Sequence, residues 1–395
     1  MSGHEMFDVI VVGGGPAGAT AATDLAQRGH SVMLLDRDGR IKPCGGAVPP
    51  RLMREFAVPD SLLVARVGGA RIVAPSERKV EMPIATGGYV GMVDRETFDE
   101  WLRERARWAG ADRRTGLFED LDRQPDGSVG LTYRDPEGTQ HRVGARFVIG
   151  ADGAVSAVAR RAMPASGRAP YVFAYHEIVE VPDAAPGYDP SRCDVYYQGR
   201  LSPDFYGWVF PHGRTVSVGT GTAVKGFSLR TAVAALRDDA GLAGGRTVRR
   251  EGAPLPLRPL PKWDDGRNVV LAGDAAGVVA PASGEGIYYA MLSGRLVGEA
   301  VTEALVTGDA RALAGARKRF MREHGRVFWI LWMMQRFWYS SDKRRERFVS
   351  ICNDPDVQSL TWTAYMDKKL VRARPAAHAR IFLKDMAHLL RLVSP

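Results

Sequence analysis

Three glycines at positions 13, 15 and 18 form a G-x-G-x-x-G pattern, whose residue types and spacing suit the binding of phosphate groups. Gly13 permits a tight turn, Gly15 lets the backbone approach a pyrophosphate, and Gly18 lets a following helix lie close to a sheet. Asp36 follows at the distance where a carboxylate accepts hydrogen bonds from a ribose. We therefore predict a dinucleotide site here, which also includes Pro16, Ala17 and Arg37.

The segments around these glycines predict the elements that position them. Residues 7–12 are apolar and β-branched, which is typical of a buried strand. Residues 16–28 are rich in alanine and predict a helix, which Gly29 can end because glycine accepts left-handed backbone angles. Residues 31–35 predict a second strand that ends at Asp36. A glycine pattern alone also fits an ordinary turn, but this order of elements favours the nucleotide site.

Two more carboxylates follow predicted strands far along the chain. Asp152 comes after the apolar run 146–150, and Asp274 comes after the run 268–272. Because ligands of open α/β sheets bind at the carboxyl ends of strands, we expect both acids and the glycine turn at one sheet edge. An extended dinucleotide such as FAD needs contacts spread in this way, whereas a mononucleotide does not. Structural turns with surface acids are the alternative.

Three further features can contact a cofactor. The glycine-flanked start of a helix at Ile287 offers a positive dipole end, which can stabilise negative charge on a reduced flavin ring. Arg95, near the start of another predicted helix, either reaches a phosphate or ribose or is an ordinary solvated charge. The Pro- and Gly-rich loop 42–50 around Cys44 either approaches a flat group or is a plain surface loop.

Residues 171–222 predict antiparallel strands that form a second domain inserted into the first. Within them, Tyr206, Trp208 and Phe210 are expected on one face of one strand, because successive side chains of a strand alternate between its faces. Such an aromatic face is either core packing or the wall of an apolar pocket. Spacing alone favours the core.

The net charge of +9 is concentrated toward the C-terminus. Residues 311–395 carry 18 Lys and Arg against 7 Asp and Glu, which indicates an anionic partner. The apolar, aromatic segment 327–335 is too short to span a bilayer, which takes about 20 residues. It is typical of a helix at a membrane interface or of a buried helix. Since no nucleic-acid motif accompanies the charge, we expect a membrane surface and no nucleic acid.

Composition and cysteine spacing limit the class of protein further. A chain of 395 residues that is 45% hydrophobic is long enough for two or three substructures with a large core. Cys44, Cys193 and Cys352 make neither a disulfide framework nor a zinc site, so we predict no metal and a reducing compartment on the cytoplasmic side. A first strand at residue 7 leaves no room for a secretory signal.

The whole chain resembles the geranylgeranyl reductase family, specifically the branch that completes the phytyl tail of chlorophyll or bacteriochlorophyll. The resemblance is carried by loop 42–47, the P-x-x-Y-x-W-x-F-P strand motif at 203–211, the segment 273–287 and the tail segment 357–365. One departure is Asp36, where members of this family more often have Glu; either residue can bind a ribose.

The resemblance implies an α/β fold (α+β overall): a Rossmann-like FAD-binding domain of the p-hydroxybenzoate hydroxylase type, with an inserted antiparallel β-sheet substrate domain and a C-terminal helical tail. The implied boundaries are 1–62, 94–165 and 260–310 for the FAD-binding domain, 63–93 and 166–259 for the substrate domain, and 311–395 for a basic, aromatic helical region.

The resemblance also implies which residues form the sites. Flavin contacts are expected from Gly13, Gly15, Pro16, Ala17, Gly18, Asp36, Arg37, Cys44, Gly45, Gly46, Ala47, Arg95, Asp152, Gly273, Asp274, Gly284, Gly286 and Ile287. Tyr206, Trp208 and Phe210 are expected to bind substrate, and Cys44, Tyr206 and Trp208 to act in catalysis. The proton donor is left open among Cys44, Tyr206, Tyr175 and His176.

The implied activity is an FAD-dependent reduction, with NADPH as donor, of isolated double bonds in a geranylgeranyl chain. The chain would be carried by geranylgeranyl diphosphate or by geranylgeranyl-bacteriochlorophyll, and the protein would lie at the cytoplasmic face of the photosynthetic membrane. Three alternatives stay open: an archaeal-type geranylgeranyl lipid reductase, a flavin-dependent monooxygenase and a prenyl carrier without catalysis.

Overall fold

The computed structural model describes residues 5–37, 39, 41–85, 87–164 and 169–368, and the chain divides into two compact units. The first unit consists of residues 1–41, 95–171 and 254–329, and the second of residues 42–94, 172–253 and 330–395. The second unit thus takes in residues 42–62, which the prediction groups with the FAD-binding domain. The C-terminal region is divided at residue 329, and its residues 369–395 lie outside the described part.

The secondary structure alternates between strands and helices along most of the chain. The strands are β1 (Met6–Val12), β2 (Val32–Asp36), β3 (Ala47–Val48), β4 (Leu63–Val67), β5 (Gly69–Val73), β6 (Lys79–Pro83), β7 (Val90–Val93), β8 (Asp112–Thr115), β9 (Leu117–Arg123), β10 (Val129–Arg134), β11 (Gln140–Gly150), β12 (Tyr171–Glu180), β13 (Cys193–Tyr196), β14 (Gly207–His212), β15 (Thr215–Thr222), β16 (Thr247–Pro256) and β17 (Val269–Leu271). The α-helices are α1 (Pro16–Gln27), α2 (Pro50–Glu55), α3 (Arg95–Trp108), α4 (Ala157–Ala162), α5 (Leu229–Asp239), α6 (Ile287–Thr307), α7 (Ala314–Trp338), α8 (Asp342–Ile351) and α9 (Pro355–Asp367).

The first unit is built on a sheet with the order β8-β2-β1-β11-β10-β9, in which β17 also pairs with β11. The β1, β2, β8 and β17 pairings are parallel, and the β11-β10-β9 pairings are antiparallel. Parallel strands are covered on both faces, which is why residues 9–12 of β1 are all apolar and buried. The predicted strand–helix–strand order is confirmed, and Gly29 follows α1 with a φ of +84°.

The second unit is built on a seven-stranded sheet with the order β16-β12-β15-β14-β13-β5-β6, together with a three-stranded sheet β3-β7-β4. All the pairings of the larger sheet given by register are antiparallel except that of β13 with β5. The antiparallel strands predicted within 171–222 are therefore present. One face of this sheet carries a core that includes Val179, Val209 and Val218, and α5 packs onto it through Val233 and Leu236.

The helices near the C-terminus pack within both units. In the first unit, Phe320 of α7 lies 5.3 Å from Trp263 and 6.0 Å from Tyr289 between ring centroids. In the second unit, Tyr339 lies 5.0 Å from Tyr197 between centroids, after the end of α7. Among the described residues, no helix is both long enough and apolar enough to cross a membrane.

Candidate cofactor and substrate sites

Of the three glycines of the G-x-G-x-x-G turn after β1, Gly15 has open space for a ligand beside it among the described residues. A β-carbon at Gly13, where φ is +106°, would lie 2.4 Å from the carbonyl oxygen of Ala151, and one at Gly18 would lie 1.9 Å from the carbonyl oxygen of Gly13. At Gly15, no described atom lies within 4 Å of the β-carbon position. Gly15 is the N-cap of α1, so open space adjoins the unpaired amide groups of a helix start. This geometry fits a pyrophosphate.

Asp36 lies at the end of β2, beside the glycine turn. Its Oδ1 accepts a hydrogen bond from the Arg37 amide (3.0 Å), and its Oδ2 accepts one from Nη1 of Arg103 (3.2 Å). Burial raises the pKa of Asp36 above its usual range, while the Gly14 amide and the Arg103 guanidinium act against that rise. Sequence reasoning missed Arg103, because only the tertiary fold brings this residue of α3 to Asp36.

Asp152 follows β11 and is engaged at the start of α4. Its Oδ1 accepts a hydrogen bond from the Ser156 hydroxyl (2.5 Å), and its Oδ2 accepts from the amides of Ala157 (2.6 Å) and Val158 (3.2 Å). Burial raises the pKa of Asp152, and these donors lower it. The carboxylate thus anchors a helix end, which sequence reasoning did not foresee. Its contact with a flavin stays a prediction.

Arg95 is buried at the start of α3 and is not a solvated charge. Its Nε and Nη2 donate to the two carboxylate oxygens of Asp99 at 2.8 and 2.7 Å, which forms a bidentate pair one helical turn apart. The surface interpretation is therefore wrong for this residue. The predicted phosphate or ribose contact of Arg95 stays a prediction.

The turn after β17 places Asp274 near the start of α6. Gly273 has a φ of +63°, and its amide donates to the Ser293 hydroxyl (2.9 Å). A β-carbon at Gly286, the N-cap of α6, would lie 3.9 Å from Oδ1 of Asp274. The amide of Gly284 donates to the carbonyl of Ala280 (2.9 Å), which closes the turn just before Ile287.

The glycine turn after β1, the turn at Asp152 and the turn at Gly273 lie close together, as expected from the topology. A β-carbon at Gly13 would lie 2.9 Å from Cα of Asp152, and one at Gly273 would lie 2.8 Å from Cβ of Ala17. Helix α6 also lies close to α1, because Gly294 brings its backbone against the carbonyl of Ala17. The edge predicted for an extended dinucleotide therefore exists within the first unit, and its residues fit FAD.

The Cys44 loop and the aromatic strand β14 lie together within the second unit. A β-carbon at Gly45 would lie 2.8 Å from Cδ2 of Phe210, and one at Gly46 would lie 2.6 Å from Nε2 of His212. Cys44 is half-buried, and its Sγ accepts a hydrogen bond from the Gly46 amide (3.4 Å). Ala47, which begins β3, pairs with Met92 of β7. The two motifs that carry the family resemblance most specifically are thus neighbours.

Tyr206, Trp208 and Phe210 form an aromatic ladder along one face of the chain that enters β14. The ring centroids of Tyr206 and Trp208 are 6.0 Å apart, and those of Trp208 and Phe210 are 6.4 Å apart. Tyr206 and Trp208 are buried, Phe210 is half-buried, and the intervening Val209 faces the core on the opposite side. The shared face is confirmed. The role of the ladder as a substrate wall stays a prediction.

The two proton-donor candidates on β12 lie on opposite faces of that strand. Tyr175 belongs to the core beside Val209, and its hydroxyl donates to Oε1 of Glu177 (2.9 Å). His176 faces the aromatic ladder, with its ring centroid 6.4 Å from that of Trp208. Of these two, only His176 shares the face of the predicted substrate residues.

Comparison with known proteins identifies relatives over the whole chain. A family described as "FAD binding domain" matches residues 6–318. The geranylgeranyl diphosphate reductase of Rhodobacter capsulatus is 55% identical, covering 98% of this chain and 99% of the relative. The chloroplastic geranylgeranyl diphosphate reductase of Oryza sativa subsp. japonica is 37% identical, covering 97% and 86%. The crystal structure of a geranylgeranyl bacteriochlorophyll reductase-like protein from Thermoplasma acidophilum superposes with a TM-score of 0.81 at 25% identity, covering 95% and 100%.

The fold and the glycine cradle define a flavoprotein of the Rossmann-like, FAD-binding class, and the family match agrees with that class. The predicted fold class is thereby confirmed. The full-length identity to named reductases narrows the assignment, and the chain belongs to the geranylgeranyl reductase family of flavin oxidoreductases.

Proposed function

We propose that this protein uses bound FAD and NADPH to reduce isolated double bonds of a geranylgeranyl chain in bacteriochlorophyll biosynthesis. The substrate is geranylgeranyl diphosphate or the geranylgeranyl ester of bacteriochlorophyll. The observation that carries the proposal is the identity of 55% to a geranylgeranyl diphosphate reductase along 98% of the chain. The open cradle at Gly15 supports it independently, because it fits the pyrophosphate of FAD.

The chemistry follows from the substrate. An isolated trisubstituted alkene has no carbonyl to polarise, so a hydride alone has no electrophilic carbon to attack. A proton added to the less substituted carbon creates positive charge on the tertiary carbon, and reduced FAD supplies the hydride that completes the new C–H bond. Each double bond therefore consumes one NADPH and one proton.

The protein must stabilise positive charge without reacting with it. We assign this role to the faces of Tyr206 and Trp208, because an aromatic face attracts a cation by about 2 kcal/mol in a dry site. The half-buried Phe210 extends the same apolar ladder along the prenyl chain. Cys44 lies in the loop packed on this ladder, and we assign it a role in catalysis as a candidate proton donor.

An anaerobic assay tests the proposal and separates it from the alternatives. The FAD-loaded protein is mixed with NADPH and geranylgeranyl-bacteriochlorophyll or geranylgeranyl diphosphate, and product masses are followed. Successive gains of two hydrogen atoms are expected. A product that appears only with oxygen and has gained one oxygen atom would identify a monooxygenase. A geranylgeranylglyceryl phospholipid is tested in a parallel reaction, and its selective reduction would identify the archaeal-type activity. No product with any of the three substrates would indicate a prenyl carrier without catalysis.

We also propose that the protein associates peripherally with the cytoplasmic face of the photosynthetic membrane through α7. One side of this helix is buried and includes Phe320, His324 and Phe328. The opposite side is exposed and repeats at helical spacing. This exposed stripe consists of Arg322, Arg326, Trp329, Met333 and Arg336.

The composition of the exposed stripe suits an anionic lipid surface. Trp329 is 61% exposed and Met333 is 43% exposed, so two large apolar side chains lie one helical turn apart on the surface of α7. Arginines at both ends can bind lipid phosphates while the two apolar side chains enter the interface. The buried interpretation of segment 327–335 fits one face of this helix, and we propose the interfacial interpretation for its opposite face.

A further inference from the structure

A continuous chain of four side chains crosses the larger sheet of the second unit, from Trp208 on β14 to Glu251 on the terminal strand β16. Nε1 of Trp208 donates a hydrogen bond to Oγ of Ser217 (3.1 Å). The same oxygen lies 2.9 Å from Nδ1 of His176, and Nε2 of His176 lies 2.8 Å from Oε2 of Glu251. His176 is 2% exposed and Ser217 is fully buried. None of these contacts involves neighbours in sequence, so the fold alone assembles the chain.

The donor and acceptor types fix the direction of the bonds at the two ends of this chain. An indole N–H can only donate and a carboxylate can only accept. Nε2 of His176 therefore carries the hydrogen that binds Glu251, and in the neutral ring this tautomer leaves Nδ1 to accept the hydroxyl hydrogen of Ser217. The Ser217 oxygen in turn accepts the indole N–H of Trp208. Each group donates toward the carboxylate, which is the arrangement in which successive hydrogen bonds strengthen one another.

The Glu–His–Ser order is that of a hydrolytic triad, but the serine cannot act as a nucleophile here. Ser217 has no exposed surface, and its oxygen is already bonded to the indole of Trp208. A nucleophile must reach a carbonyl carbon of its substrate. The end point of this chain is therefore the Trp208 ring.

The sheet register holds the indole in place. Gly219 pairs with Trp208 on one side and with His176 on the other, so the three residues lie on one level of neighbouring strands. A β-carbon at Gly219 would lie 2.2 Å from Cζ2 of Trp208 and 2.6 Å from Cβ of His176. The indole therefore packs directly against the bare backbone of Gly219, and Ser217, two residues earlier on the same face, accepts its N–H.

We propose that Ser217, His176 and Glu251 are positioning residues for Trp208, which fix the orientation of its indole and raise the electron density of its face. The negative charge of Glu251 polarises each of the aligned hydrogen bonds in turn, so the indole N–H of Trp208 is polarised toward Oγ of Ser217. A more negative ring face attracts a developing carbocation more strongly. This inference rests on the proposed function for its effect on turnover, but not for the coupling itself.

The charges around Glu251 set how strongly it acts. Its Oε1 lies 3.3 Å from Nε of Arg249, and Nη2 of Arg249 lies 3.6 Å from Oδ2 of Asp94. Arg249 is thus shared between two carboxylates and neutralises Glu251 only in part. Glu177 offers a matched control on the same sheet: it is a buried carboxylate on β12, but it binds Tyr175 and Arg237 on the opposite face.

The test uses the FAD-loaded protein with ¹⁵N-labelled tryptophan. The indole N–H resonance of Trp208 is assigned by its loss in Trp208→Phe and is then recorded in Ser217→Ala, Glu251→Gln and Glu177→Gln. Glutamine at 251 keeps an oxygen for His176 but removes the charge. We expect the Trp208 resonance to move upfield in Ser217→Ala and in Glu251→Gln, and to stay in place in Glu177→Gln.

Turnover and flavin reduction are measured on the same samples. We expect kcat to fall about tenfold in Ser217→Ala and less in Glu251→Gln, with KM and the rate of flavin reduction by NADPH unchanged. A Trp208 resonance that does not respond to Glu251→Gln would overturn the coupling, whatever the substrate. A resonance that moves while kcat on the geranylgeranyl substrate stays constant would overturn the effect on catalysis. A protein that reduces no prenyl chain would refute the proposed function and leave the resonance test intact.

Discussion

Gly45 and Phe210 lie so close in the second unit that a β-carbon on Gly45 would fall 2.8 Å from Cδ2 of the ring. The loop thereby holds the last ring of the aromatic ladder in place. Gly45→Ala is expected to displace that ring, to lower the free energy of unfolding by about 1–3 kcal/mol and to reduce turnover more than FAD content. Thermal unfolding, flavin absorbance and product formation measure the three effects.

Gly244→Ala is the matched control for this substitution. Gly244 belongs to the same unit, and no described atom lies within 4 Å of its β-carbon position. Its turnover should equal that of the unmodified protein. Equal loss in both variants would show that the contact with Phe210 is not the cause.

The cradle at Gly15 makes a separate prediction about cofactor binding. Because the β-carbon position is open, Gly15→Val should fold normally but place methyl groups where the pyrophosphate binds, lowering FAD affinity at least about tenfold. Gly18→Ala should instead destabilise the fold, since its β-carbon would overlap the Gly13 carbonyl. Flavin content and the unfolding temperature of the FAD-free protein separate the two cases. Normal FAD affinity in Gly15→Val would show that the pyrophosphate does not bind beside Gly15.

The contrast between Gly15 and Gly18 also shows which features of the site can be predicted from the sequence. The pattern Gly13 to Gly18 and the apolar strand before it predict the cradle, because turn geometry and strand burial are local properties. The pairing of Asp36 with Arg103, the cap formed by Asp152 and the burial of Arg95 against Asp99 depend on packing or on how a side chain turns. Spacing places Arg95 and Asp99 on one helix face but does not predict their burial, and it carries no signal for the other two contacts, so all three required the structure.

In the second unit, too, contacts between residues distant in sequence could not be predicted from the sequence. The alternation of Tyr206, Trp208 and Phe210 predicts a shared face, but it carries no sign of the hydrogen bond from Trp208 to Ser217. Likewise, the sequence of residues 42–50 predicts an irregular loop, and only the folded structure shows that this loop belongs to the same unit as β14. Residues distant in sequence meet through the sheet register, which a single sequence does not encode locally.

The raised pKa of Asp36 predicts how FAD binding and stability depend on pH. The ionised carboxylate accepts hydrogen bonds from a ribose, so FAD affinity should fall as pH drops through this pKa, which lies above the usual range for Asp. Without FAD, the buried charge lowers stability above the folded-state pKa, and this cost disappears at lower pH. Asp36→Asn should therefore bind FAD more weakly at neutral pH and with less pH dependence. Titration of FAD fluorescence from pH 4 to 8, about the range that spans carboxylate ionisation, measures this.

A variant that binds FAD with the unmodified pH profile would rule out Asp36 as the responsible group. Its FAD-free form gives a second check. Because Asn removes the buried charge, that form should unfold at a temperature equal to or above that of the FAD-free unmodified protein near neutral pH.

Cys44 makes a prediction about turnover alone. Cys44→Ser should retain FAD and the fold, because Cys44 is half-buried and a serine hydroxyl can accept the same hydrogen bond from the Gly46 amide. It should lose most reductase activity, at least about tenfold, since a hydroxyl is a far weaker acid than a thiol. Steady-state product formation measures the loss. Cys352→Ser, at a buried cysteine outside the predicted site, is the control, and an unchanged rate in Cys44→Ser would remove the thiol from the mechanism.

The exposed stripe on α7 makes the last prediction, which concerns lipid binding. Trp329→Ser with Met333→Ser should weaken sedimentation with phosphatidylglycerol vesicles about tenfold or more, because two apolar side chains no longer enter the interface. Vesicles of phosphatidylcholine should bind the unmodified protein weakly, since they offer no net negative charge to the arginines. Trp108→Ser removes a tryptophan that is 66% exposed on α3, outside the stripe, and should leave vesicle binding unchanged. Equal loss in both variants would mean that α7 is not the membrane-binding surface.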